Sequence, residues 1–230
     1  MAEYRLRVTR FDPGRDAAPY EEAWSSADIG ELTVLEALDA MREATAGTLA
    51  FRRSCRSGIC GACAMTVGGR AALACEVRVA AAAGEDGAVR VGPLRGFPVL
   101  RDLVVDLDPF FASVARATPW LVGRPDHDGR MGQAATEALR GVGSCVLCGI
   151  CDATMRPDGG AWDRLGPAAL AKLQRFASDP RDALGAARAR IARDGGLADL
   201  PDDPPEVCPK AVRFGPVFAA LREAAPGTVE

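Results

Sequence analysis

Eight cysteines lie in two separated sets, and none is left over. Cys55, Cys60, Cys63 and Cys75 form a C-x4-C-x2-C-x11-C run. Cys145, Cys148 and Cys151 form a C-x2-C-x2-C run, followed much later by Cys208 in the dipeptide Cys208-Pro209. Each set asks the chain to bring distant thiols to one place, which limits the loops and helices that can surround it. Four plus four thiolates is what two iron–sulfur clusters require. That frame implies electron transfer as the expected role, with no bond chemistry expected of the chain itself.

The first spacing is the plant-type frame for a 2Fe-2S cluster. In the loop Cys55-Arg56-Ser57-Gly58-Ile59-Cys60-Gly61-Ala62-Cys63, Gly58 and Gly61 can turn backbone N–H groups toward the sulfurs where a β-carbon would obstruct them. Such hydrogen bonds, together with Arg53 and Arg56 nearby, are expected to raise the potential by favouring the more negative reduced state. A zinc site or a structural turn is the competing reading, but paired C-x2-4-C units are the usual zinc frame. The second set is the bacterial-type run C-x2-C-x2-C-x3-C-P with one change, since Met155 stands in the fourth place. A distant Cys-Pro ordinarily completes the three-cysteine run. Cys145, Cys148, Cys151 and Cys208 are therefore expected to hold one 4Fe-4S cluster, with zinc again the alternative.

The chain's 230 residues suggest one or two domains, and a hydrophobic fraction of 48% is ample for a core. A net charge of −3 gives no electrostatic case for nucleic acid. The N-terminal charges interrupt any signal-peptide pattern, and no apolar run is long enough for a membrane span. A cytoplasmic location is expected, with any attachment to the inner membrane made through partners. Eight cysteines in a reducing compartment argue for metal or catalysis over disulfides. His127, the only histidine, reads as an exposed loop residue. Trp120 and Trp162 read as core or interface residues. No catalytic residue set and no nucleotide-binding motif can be assembled.

Residues 4–11 alternate at period two and predict a strand, and a second strand is expected from Tyr20 to Trp24. Thr33 and Glu36 form a capping box that opens a helix with Leu35, Leu38 and Met41 on one face. Short strands are expected over 63–67, 72–77 and 88–91. After about residue 106 helical signals take over. Gly166-Pro167 starts one helix, and Asp179-Pro180 is expected to start another that stops at Gly195-Gly196. A last helix is expected over 216–225. The expected fold class is α+β: a β-grasp, plant-type ferredoxin-like domain over 1–106, then an all-α ferredoxin domain over 107–230.

The segment Phe51-Arg52-Arg53-Ser54-Cys55 through Cys60-Gly61-Ala62-Cys63, closing at Leu73-Ala74-Cys75, closely resembles the iron–sulfur subunit of succinate dehydrogenases and fumarate reductases. Phe97-Pro98-Val99, Arg101-Asp102-Leu103, Leu165-Gly166-Pro167, Asp179-Pro180-Arg181-Asp182 and Cys208-Pro209-Lys210 are similar to further motifs of that family. The resemblance implies electron transfer between FAD on a partner flavoprotein and a quinone at a membrane anchor. It also implies a third cluster, of the 3Fe-4S type. Its ligands would be a cysteine in the place of Met155 and two in the stretch before Cys208, yet residues 196–207 contain none. The third cluster is therefore expected to be absent. Two alternatives follow: a relay from a related flavoprotein to a soluble electron carrier in a non-respiratory pathway, or a zinc-stabilised interaction protein.

Overall fold

The structure, a computed structural model, describes residues 4–45, 47–159 and 162–224. Along the chain run β1 (Arg5–Arg10), β2 (Tyr20–Ser25), α1 (Val34–Ala44), β3 (Ala64–Val67), β4 (Arg70–Leu73), the single turn α2 (Val79–Ala82), β5 (Ala88–Gly92), β6 (Val99–Arg101) and β7 (Val104–Val105). The helices α3 (Asp108–Arg116), α4 (Gln133–Gly143), α5 (Ile150–Met155), α6 (Pro167–Ala177), α7 (Ala186–Asp194) and α8 (Phe214–Glu223) follow. This is the α+β class, a mixed sheet succeeded by a helical region. Among the described residues no helix is long and apolar enough to cross a membrane.

The chain forms two compact units. One contains the residues up to Leu107 together with Cys148–Gly159, so the segment carrying α5 packs with the sheet, against β4. The other contains Asp108–Leu147 and the described residues from Trp162 onward.

In the first unit the strands lie in the order β2-β1-β5-β3-β4, with β1 and β5 parallel and the other neighbours antiparallel. The alternation in β1 works as its sequence predicts: Leu6 and Val8 are fully buried while Arg5 is exposed. The capping box is present, with the Glu36 N–H donating to Thr33 Oγ1 at 3.2 Å and the Thr33 N–H donating to Glu36 Oε2 at 2.8 Å. It starts α1 where Leu35, Leu38 and Met41 can all be buried, each contributing about 1.5–3 kcal/mol. The strand expected at 72–77 lies earlier, at Arg70–Leu73. Gly68 and Gly69 both have positive φ and make a two-residue hairpin that pairs Val67 with Arg70, which sets the register. Phe97-Pro98-Val99 leads into a second, two-stranded hairpin of β6 and β7. Asp102 locks this hairpin to the rest of the unit. Its buried carboxylate accepts from Arg10 Nε at 3.0 Å, the Phe11 N–H at 3.0 Å and the Ala50 N–H at 2.8 Å.

In the second unit α6 is the hub, touching α3, α4, α7 and α8. Its residues Ala168, Ala169, Leu170, Ala171 and Leu173 are buried. The helix expected to begin at Asp179-Pro180 begins at Ala186 instead. The Asp179 carboxylate is committed elsewhere: it receives Arg175 Nη1 at 2.8 Å, Arg181 Nη2 at 2.7 Å and the Arg181 N–H at 3.0 Å, which folds the segment into a turn. The helix does stop at Gly195. Arg188 of α7 is completely buried. It makes a two-pronged pair with Asp182, at 2.9 and 2.6 Å, and donates to the carbonyls of Thr118 at 2.8 Å and Trp120 at 2.9 Å. Trp120 is not a core residue, being 55% exposed. Its backbone is what Arg188 anchors, and the ring is left outside. His127 lies in a loop, where its Nδ1 accepts the Gly129 N–H at 3.0 Å.

Candidate metal centre

The first cysteine set is gathered at one end of the sheet. Cys55 and Cys60 sit on the long loop after α1, Cys63 immediately precedes β3, and Cys75 follows β4. The β3–β4 hairpin brings the last two together, and the Ala74 N–H donates to the Cys63 carbonyl at 3.1 Å. The sulfurs lie in a cradle of backbone donors. Cys55 Sγ accepts from the N–H groups of Ser57, Ile59 and Cys60 at 3.5, 3.4 and 3.2 Å. Gly58 donates to Cys75 Sγ at 3.3 Å, and Ala62 to Cys60 Sγ at 3.5 Å.

These donors change the thiols. The N–H of Ser57 foremost, with the Cys60 side chain and the N–H groups of Cys60 and Ile59, brings the Cys55 pKa down to about 6. Burial pushes the Cys63 thiol up to about 12, and the neighbouring Cys75 and Cys60 side chains add to that effect. Exposed and buried thiols therefore share one site: Cys55 and Cys60 face outward, while Cys63 is 3% and Cys75 9% exposed. Ile59, on the same loop, is 66% exposed.

Gly58 and Gly61 hold positive φ, +68° and +75°. A β-carbon on Gly58 would lie 2.0 Å from Glu76 Oε1. The glycines thus let the loop fold tightly enough to aim its N–H groups at sulfur, as their positions in the sequence suggest. Arg53 and Arg56 are near the loop, but they are not free charges. Both guanidinium groups pair with Asp39 of α1, Arg56 Nη2 at 3.0 Å, and Arg42 Nη2 lies 3.8 Å from the same carboxylate. Asp39, which the cysteine spacing gave no reason to single out, ties the loop to the helix.

The second set is divided between the units. Cys148 and Cys151 belong to the first, Cys145 and Cys208 to the second. Cys148 lies against Gly61, whose added β-carbon would stand 2.9 Å from Cys148 Cβ. Cys151 is in the first turn of α5 and buried, with its sulfur 3.4 Å from Asp152 Oδ2. The Cys145 N–H donates to the Val142 carbonyl at 3.4 Å, and the Cys145 carbonyl accepts Lys172 Nζ at 2.8 Å. The Cys208 carbonyl accepts the Ala211 N–H at 3.0 Å. Met155 ends α5. Lys172 has no motif to announce it; only its placement by α6 reveals it.

Among the described residues, no group of three or more His, Cys, Asp or Glu side chains is arranged around a single metal ion. A four-thiol donor set with backbone N–H groups directed at sulfur fits an iron–sulfur cluster at Cys55, Cys60, Cys63 and Cys75. Cys145, Cys148, Cys151 and Cys208 likewise form no disulfide, which leaves each a soft thiol donor.

Residues 5–112 match the family described as a 2Fe-2S iron-sulfur cluster binding domain. The chain is 38% identical over 215 residues to the fumarate reductase iron-sulfur subunit of Mycobacterium tuberculosis (strain CDC 1551 / Oshkosh), covering 90% of this chain and 86% of that protein. It is 32% identical over 233 residues to the mitochondrial succinate dehydrogenase (ubiquinone) iron-sulfur subunit of Dictyostelium discoideum, covering 94% and 80%. The structure also superposes on a chain of the Mycobacterium smegmatis Sdh1 complex in the apo form. The TM-score is 0.84, with 27% identity over 96% of this chain and 94% of that one.

Proposed function

The chain belongs to the iron–sulfur subunits of the succinate dehydrogenase and fumarate reductase family, the electron-transfer subunits of those complexes, and from that premise we propose how its own residues divide the work. Cys55, Cys60, Cys63 and Cys75 hold a 2Fe-2S cluster. Cys145, Cys148, Cys151 and Cys208 hold a 4Fe-4S cluster. When bound, these groups supply reversible one-electron redox sites. The N–H groups of Ser57, Gly58, Ile59, Cys60 and Ala62 stabilise negative charge on the sulfurs. Burial of Cys63 and Cys75 keeps water from one side of the site. The exposed edge at Cys55, Ile59 and Cys60 is where a flavoprotein carrying FAD approaches. No residue here serves as acid, base or nucleophile, so the substrate chemistry lies on that partner.

The backbone cradle around the first four sulfurs is the observation that carries this reading. The third cluster is absent in it, because Met155 and residues 196–207 offer no thiol. That same feature favours a second reading, in which electrons leave to a soluble carrier instead of a quinone at a membrane anchor. Attachment to a membrane, where a complex has it, comes from partner subunits.

Anaerobic native purification tests the assignment. Iron and acid-labile sulfide should each approach about six per chain, two plus four irons. A value near nine would reinstate the third cluster, and a colourless zinc-loaded protein would overturn the redox role. A covalent-FAD flavoprotein co-purifying with a membrane subunit would support the quinone route. The flavoprotein alone, in the soluble fraction, would support the soluble carrier.

A further inference from the structure

Lys172 and Lys210 are the chain's two lysines. Lys172 projects from α6, and its Nζ donates to the carbonyl of Cys145 at 2.8 Å. Among the described residues it makes no ion pair. Arg53 and Arg56 differ in this respect, because each shares its charge with Asp39. The lysine is also firmly placed. Ala168, Ala169, Leu170, Ala171 and Leu173 on the same helix are buried, and the side chain itself is half-buried. Such a charge is screened less by salt than one on an open surface.

We propose that Lys172 sets the reduction potential of the redox site to which Cys145 contributes. This inference rests on the reading that Cys145 is a ligand of a 4Fe-4S cluster. On reduction one electron enters that site, supplied by the flavoprotein or by dithionite in a titration, and no bond is made or broken. The site becomes more negative by one charge. A nearby ammonium group favours that state, since Coulomb attraction grows as distance shortens. Net charge and hydrogen bonding around the ligands are the levers through which a protein tunes such a site. Lys172 supplies the charge, its hydrogen bond to the Cys145 carbonyl holds that charge in place, and it acts as a positioning residue through Cys145.

Potentiometric titration with dithionite, followed by EPR on the whole complex, tests the proposal. In Lys172→Gln the reduced-to-oxidised ratio of the 4Fe-4S site at fixed potential should fall at least tenfold, a 59 mV downward shift for a one-electron couple. The 2Fe-2S midpoint should stay where it is. Lys172→Arg should recover most of the shift. An unchanged midpoint in Lys172→Gln, with the 4Fe-4S signal intact, would overturn the lysine's role alone. A wild-type complex without that signal would overturn the ligand assignment and the lysine's role together. Should Lys172→Gln and Lys172→Met both lose the cluster, Lys172 would be a structural tether to the Cys145 carbonyl, and tuning would again be overturned.

Discussion

Gly61 leaves no room for a side chain beside Cys148: a β-carbon on Gly61 would lie 2.9 Å from Cys148 Cβ and 3.1 Å from its Cα. The first cysteine loop and the second cysteine run therefore touch through a residue that has no side chain. Gly61→Ala should be costly on two counts. The left-handed backbone penalises any side chain, and the atoms it would strike cannot swing away. A loss of about 2 kcal/mol or more is expected, read as a lower urea midpoint, together with reduced iron content. Near-native stability and full iron in Gly61→Ala would show that the contact can relax.

Asp39 neutralises arginines that would otherwise crowd one another beside the first cysteine loop. Asp39→Ala should destabilise the protein by about 1–2 kcal/mol, a modest figure because Arg53 and Arg56 remain partly exposed. It should also raise the midpoint of the 2Fe-2S site, since unmasked positive charge favours the reduced state. EPR-monitored titration reads this directly, and a lowered midpoint would contradict it.

Arg188 and Asp182 form a fully buried pair. Arg188→Met leaves the carboxylate without its main partner and frees the carbonyls of Thr118 and Trp120. About 3–5 kcal/mol of destabilisation is expected. Adding Asp182→Asn should recover part of that loss, because the stranded charge is removed. Urea unfolding of the two variants side by side decides it, and equal losses would mean that the carboxylate is not what suffers.

Acid should act on the second unit through Asp179 and Asp182. The guanidinium of Arg181 foremost, with Arg175 and the Arg181 N–H, holds the Asp179 carboxyl far below the ordinary carboxylate range despite its burial. Burial works to raise Asp182, but donors from Arg188, Val122 and Leu184 outweigh it and lower its pKa. A depressed carboxylate contributes stability that is complete above its unfolded value of about 3.9 and is lost as pH falls toward the folded one. Unfolding free energy should therefore be flat in these groups above about pH 5 and decline below about pH 4. Asp179→Asn should be less stable at neutral pH and show a shallower acid decline. An identical slope in the variant would count against Asp179.

How much was legible beforehand depends on how local the physics is. The β1 alternation and the capping box at Thr33 and Glu36 are patterns within a few residues, and each points to the element that forms. Asp179-Pro180 looked like a helix start because an aspartate before proline normally caps one. The carboxylate instead went to Arg175 and Arg181, a competition decided by how the turn folds. The sequence places Arg53 and Arg56 near the first site, but their pairing with Asp39 depends on a separate helix that the loop's own residues do not announce. Lys172 was invisible for the same reason: its meaning lies in a contact with Cys145 made across the helical unit.

The unit that contains the sheet is not one continuous stretch of chain, since it includes Cys148–Gly159. During synthesis every strand is made before that segment leaves the ribosome. Until then the loop at Gly61 has no neighbour on the side that Cys148 later occupies, and β4 lacks the helix that packs against it. A fragment cut after Leu107 would preserve that unfinished stage permanently, keeping four cysteines and the whole sheet while missing part of its own wall.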